Sequence, residues 1–223
     1  MTTRTLCLSL MIFAATISPV EVLRGVAAAS GRPTDPVGRD RQAKMLAYEL
    51  PVVYVLVVLL VLSVIPERPF LLAPTGLWWY GIAVLAAPLA LGTEILVAYL
   101  WIRVRRLGAG RIVLHDAWSG AALPLLITTV VVGGCEEVLF RGVWLRVLVG
   151  SFGWAPALGV VVTATVYALS HKYFGAVTVA QKWISGLLYG SLFVASGQAL
   201  AIPLVVHTLQ NALTVAVGGA RRR

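Results

Sequence analysis

The sequence predicts an all-α fold, a polytopic membrane helix bundle with about six to eight transmembrane helices. Three observations carry that prediction. Of the 223 residues, 59% are hydrophobic and 12% charged, against about 45–50% and about 25% in soluble domains. Six apolar runs come close to or exceed the roughly 20 residues that cross the hydrocarbon of a bilayer. The Lys and Arg residues gather in the segments between those runs. A mean hydropathy of +0.89 excludes a water-soluble enzyme. Disorder is excluded as well, because it requires low hydrophobicity and high charge. The net charge of +9 belongs to inter-helix loops, as in membrane proteins, so no nucleic-acid partner is called for.

The elements follow in order. Leu6–Val20 has two readings, a retained spanning helix or the apolar core of an export signal ending near Ala27–Ser30; the retained helix is favoured. Glu21–Lys44, rich in Gly, Pro, Asp and Arg, reads as an exposed linker. Spanning helices are then predicted over Leu46–Ile65, Leu77–Trp101, Ala121–Val149, Ala155–Tyr173, Ala176–Ser196 and Ala199–Val217. The breaks coincide with residues that end helices: Pro66, Pro69 and Pro74, the basic loop Arg103–Arg111, Gly150–Pro156, and Gly197. The chain thus divides into a hydrophobic segment and basic linker (1–44), helices without a motif (45–120), and helices that carry polar motifs (121–223).

Loop charge sets the orientation. Arg24, Arg32, Arg39, Arg41 and Lys44 in the linker, the Arg103–Arg111 loop and the Arg221 to Arg223 tail fall on one side if the six clear helices alternate. That side is read as cytoplasmic, which gives an integral protein of the cell membrane with a cytoplasmic C-terminus. Trp78, Trp79, Trp101, Trp154 and Trp183 lie near helix ends, as interfacial aromatics do.

Polar groups inside the apolar runs carry the functional information, since a charge at mid-helix costs about 2.5–3.5 kcal/mol on insertion scales. Glu136, Glu137 and Arg141 share one run, with Glu137 and Arg141 four apart in the favourable acid-before-base order. Tyr167 and His171 recur at the same spacing, and so do His207 and Asn211. Each has a structural reading: Glu137 and Arg141 as a self-neutralising pair, His171 as an interfacial histidine, His207 or Asn211 as a residue hydrogen-bonding across the bundle. Glu136, with no partner at the favoured spacing, is the carboxylate left free for chemistry. Together the six would line a polar pocket inside the bilayer.

The ordered motifs Glu136-Glu137-Val138-Leu139-Phe140-Arg141, Tyr167-Ala168-Leu169-Ser170-His171 and His207-Thr208-Leu209-Gln210-Asn211 resemble the E-E-x-x-x-R, F-x-x-x-H and H-x-x-x-N/D motifs of one family. It is the CAAX-protease and bacteriocin-processing group of glutamic intramembrane proteases, which includes the type II CAAX prenyl endopeptidases. The resemblance covers about Ala121–Val217, with Tyr167 where the family usually has Phe. It implies a catalytic membrane domain over 121–223 that hydrolyses a peptide bond of a membrane-associated protein or peptide, with no covalent intermediate. Glu136 would be the general base and His171 would hold the attacking water. His207 and Asn211 would donate to the oxyanion, while Glu137 and Arg141 would fix the acidic centre. The physics agrees, because a water-poor site strengthens both a carboxylate base and donors aimed at developing charge.

Three rivals stay open. Glu136 or Glu137 with His171 and His207 offers the ligand types of a catalytic zinc, although there is no H-E-x-x-H. A non-proteolytic binding, immunity or proton-coupled transport protein could also keep such a pocket, with Glu94 extending a relay; no duplicated halves are visible. Cys135 as a nucleophile is the weakest, being about 100° round the helix from Glu136 and of a type that usually fills apolar space. The favoured reading requires neither metal nor cofactor. Substrate identity and oligomeric state are not encoded in any motif.

Overall fold

The computed structural model describes residues 5, 6, 8–10, 36–65, 74–105 and 122–220. Among these the chain is helical and forms no strand. The early apolar run beyond Leu10, the 106–111 part of the basic loop and the Arg221 to Arg223 tail lie outside the described residues.

Helix α1, Pro36–Val64, starts earlier than expected. Pro36–Lys44, read from sequence as linker, is helical and runs unbroken into the first apolar span. A proline in the first turn costs no hydrogen bond there. Arg39, Arg41, Gln42, Ala43 and Lys44 are good helix formers and outnumber Val37, Gly38 and Asp40, which are weaker. A division at residue 44 therefore falls inside α1. Helix α2, Trp78–Val104, follows. Pro51 in α1 and Pro88 in α2 remain within their helices, as prolines do where neighbouring groups take up the freed carbonyls.

Helix α3, Ala122–Glu137, changes winding just after the two glutamates. It continues as π-helix over Val138–Leu145 and Val147–Ser151. Such wide i→i+5 turns concentrate at functional sites. Helix α4, Pro156–Leu169, begins with proline in its first turn. It stops before His171, which occupies a turn at φ −97° and is followed by a 3-10 turn, Lys172–Phe174. The expected helical spacing of Tyr167 and His171 therefore does not hold: His171 sits just past the helix end. Helices α5, Ala176–Ala195, and α6, Ala201–Ala220, complete the chain. The turn between them needs Gly197, whose φ is +81° and whose missing side chain leaves room for Thr75.

The most extensive helix pairs are α4 with α5, α2 with α6, and α3 with α6. Small residues let them close. In α5 the run Gly186-Leu187-Leu188-Tyr189-Gly190 is a G-x-x-x-G pattern. Its glycines lie against α4, where a Cβ on Gly186 would stand 3.1 Å from Ala164 Cα and one on Gly190 3.0 Å from Val160 Cγ1. Helix α2 is built the same way, turning Ala83, Ala86, Ala87, Ala90 and Ala98 inward and leaving Leu85 and Leu89 exposed at 72% and 59%. Among the described residues, α2 is long and apolar enough to cross a membrane; Glu49–Val64, Pro156–Leu169 and Ala201–Val217 are shorter apolar helices.

The close approach of Gly186 to a backbone atom makes a prediction. Gly186→Leu should overpack the α4–α5 contact and destabilise the protein by about 1–3 kcal/mol, seen as a lower melting temperature in detergent. An unchanged melting temperature would show that the two helices can separate freely.

Candidate active site

Glu136 and Glu137 are adjacent on α3, yet the helix turns them into different surroundings. Glu137 is fully buried. Its Oε1 accepts from Arg141 Nη1 at 3.1 Å and from His207 Nδ1 at 2.8 Å. Arg141 Nη2 donates to the Gly186 carbonyl at 3.1 Å, so one ion pair ties α3 to both α5 and α6. The guanidinium also lies over the rings of Tyr167 at 4.7 Å and Tyr189 at 5.3 Å. The self-neutralising pair read from sequence is present, but it also holds the ring of His207.

Glu136 takes its neighbours from other elements. Its Oε1 accepts from Tyr54 Oη at 3.2 Å and stands 3.6 Å from His171 Nε2. Its Oε2 is 3.9 Å from His207 Nε2. His171 Nδ1 donates to the Tyr167 carbonyl at 2.9 Å, in the last turn of α4. That bond places the proton on Nδ1 and leaves Nε2 as an acceptor in the neutral ring. The Tyr167 ring packs edge-on to His171, with centroids 4.9 Å apart. The hydroxyl that replaces the family's phenylalanine hydrogen finds no partner among the described residues.

Asn211, one turn beyond His207 on α6, donates from Nδ2 to the Thr129 carbonyl at 2.9 Å. Gly133 faces both side chains: a Cβ there would stand 3.0 Å from Asn211 Nδ2 and 3.2 Å from His207 Nε2. Glu136, His171, His207 and Asn211 all line one cavity of about 160 Å³, together with Tyr54 and Lys182. Glu137 and Arg141 stand behind it. Five of the six residues singled out in the sequence thus come from α3 and α6, and His171 from the turn after α4.

Some participants had no signal in the sequence motifs. Tyr54 belongs to a helix read as motif-free. Gly133 is a glycine among apolar residues, and only its facing partners reveal its place. Glu94, considered as part of a relay, is instead fixed in an ion pair: Lys182 Nζ lies 2.9 Å from its Oε1 and Ser185 Oγ donates to the same oxygen at 2.6 Å. Tyr189 donates to Gln210 nearby. Cys135 packs with Leu139 and Phe140 in an apolar cluster and does not line the cavity. Among the described residues no group of three His, Cys, Asp or Glu side chains is arranged to hold a metal ion.

Comparison with known proteins covers the same part of the chain. The family described as type II CAAX prenyl endopeptidase Rce1-like matches residues 117–213, somewhat under half of the chain. A curated relative, an Escherichia coli protein named only as an uncharacterized 24.3 kDa protein, is 30% identical over 84 residues. That alignment spans 37% of this chain and 38% of the relative. No solved structure matches. The stretch similar to the type II CAAX prenyl endopeptidase Rce1-like family, residues 117–213, holds Glu136, Glu137, Arg141, His171, His207 and Asn211.

Proposed function

We propose that this chain is an intramembrane endopeptidase of the CAAX type, hydrolysing a peptide bond of a membrane-associated protein or peptide with water activated by Glu136 and His171. The observation that carries the reading is Glu136 at the wall of the cavity, 3.6 Å from His171 Nε2 and 3.9 Å from His207 Nε2. The family match over the same residues supports it. Membrane embedding is supported by α2, which puts alanines inside and leucines outside, the reverse of what water favours. Charge in the connecting segments favours the cell membrane with a cytoplasmic C-terminus.

The chemistry balances with the groups present. Glu136 takes one proton from water while His171 Nε2 accepts a hydrogen bond from the same molecule. The water oxygen bonds to the peptide carbonyl carbon, and the carbonyl oxygen takes the negative charge. Asn211 Nδ2 retains a second proton to donate to that oxygen. His207 Nε2 donates to it when the ring is doubly protonated, with Nδ1 still on Glu137. When the C–N bond breaks, the nitrogen takes the proton held by Glu136, leaving a carboxylic acid and an amine.

Two substitutions test the reading in full-length protein reconstituted into lipid vesicles with a membrane-anchored peptide reporter. Glu136→Gln should lower the cleavage rate by at least about 100-fold; turnover that survives it would overturn the assignment. Gly133→Ala places a methyl 3.0 Å from Asn211 Nδ2 and 3.2 Å from His207 Nε2. It should cut kcat by about 100-fold, while a rate equal to wild type would remove these two donors from the oxyanion site.

A further inference from the structure

The matched segment begins at residue 117, but the cavity it helps to form does not close with that segment alone. Tyr54 comes from α1, 82 positions before Glu136, and its hydroxyl donates to Glu136 Oε1 at 3.2 Å. The ring is 4% exposed and is held in the apolar cluster that includes Val61, Cys135, Leu139 and Val143. It also lines the cavity. The position is therefore fixed by packing, and the hydroxyl alone reaches the polar side.

A carboxylate has two oxygens, and here they are treated differently. Oε1 carries the Tyr54 hydrogen bond and faces His171 Nε2. Oε2, 3.9 Å from His207 Nε2, makes no hydrogen bond with any described residue. From this asymmetry we infer that Tyr54 is a positioning residue for the hydrolysis proposed above: by anchoring Oε1 it fixes the carboxylate plane and leaves Oε2 to take the proton from water. Helix α1, outside the family segment, thus completes the active site. The inference rests on the hydrolase reading.

The experiment compares full-length wild type, Tyr54→Phe, Val61→Ala and Glu136→Gln in lipid vesicles, measuring kcat and KM for cleavage of a membrane-anchored peptide and the melting temperature of each. Phenylalanine keeps the ring packing and removes only the hydroxyl. The expected result for Tyr54→Phe is a fall in kcat of about tenfold, the worth of one hydrogen bond to a charged group, with KM within about twofold of wild type. Val61→Ala disturbs the same apolar cluster without touching Glu136; it should lower the melting temperature more than Tyr54→Phe and leave kcat near wild type. If wild type cleaves in a Glu136-dependent way and Tyr54→Phe retains full kcat, or changes only KM, the Tyr54 role is overturned while the hydrolase reading stands. A parallel fall in kcat in both Tyr54→Phe and Val61→Ala assigns the effect to packing and also overturns it. If wild type shows no Glu136-dependent cleavage, the hydrolase reading fails, and the Tyr54 role fails with it.

Discussion

The arrangement depends on one buried ion pair. Glu137 and Arg141 are 0% and 1% exposed, and a charge so enclosed costs several kcal/mol unless it is paired and hydrogen-bonded. Here part of the cost is offset by contacts that no single helix could supply, while Glu137 Oε2 and Arg141 Nε find no partner among the described residues. Arg141 reaches the Gly186 carbonyl on α5, Glu137 receives His207 from α6, and two tyrosine rings flank the guanidinium. Three helices must meet at a fixed distance for these bonds to form together. The same bonds set the His207 ring, because Nδ1 is committed to Glu137 and Nε2 is left toward the cavity.

That polar centre inverts the usual distribution of residue types. In α2 the inward face is alanine and the outward face leucine, valine and isoleucine. In α5 the inward face holds Gly186 and Gly190. In lipid, helices gain no hydrophobic stabilisation from burying leucine, so close backbone approach and polar contacts hold them together. Small residues bring the rods near enough for side chains such as Lys182 and Glu94 to meet across α5 and α2. On the proposed membrane reading, the buried polar groups and the glycine seams share one cause, a lipid surround.

The sequence shows much of this because its signals are local. Apolar runs placed the helices to within a few residues for α2, α5 and α6, and i,i+4 spacing put Glu137 beside Arg141 and His207 beside Asn211. The misses share a physical cause. Whether Pro36–Lys44 is linker or helix depends on weak propensities, and composition alone favoured the linker. The π winding after Glu137 leaves no mark on apolar periodicity. His171 fits a helical spacing from Tyr167 but sits past the helix end, where its Nδ1 closes on the Tyr167 carbonyl. Tyr54 and the Glu94–Lys182 pair act across 82 and 88 positions, and no local pattern reports such distances. Nor does a G-x-x-x-G run say which helix it will meet.

Two adjacent carboxylates with the same side chain still have to be told apart, and only their surroundings do so. Successive residues on a helix point about 100° apart, so one winding places Glu137 among cations and rings and Glu136 at the cavity. Glu137 Oε1 accepts from two donors, and its Oε2 is buried without a partner among the described residues and away from the cavity. Glu136 is held at Oε1 by Tyr54, while its Oε2 makes no hydrogen bond with the described residues and lies 3.9 Å from His207 Nε2. Exchanging the two roles would require Arg141 to move to the cavity and leave a buried carboxylate unpaired, at a cost of several kcal/mol. The order of the two glutamates along α3 therefore decides which of them reaches the cavity and, under the proposed mechanism, which would serve as the base.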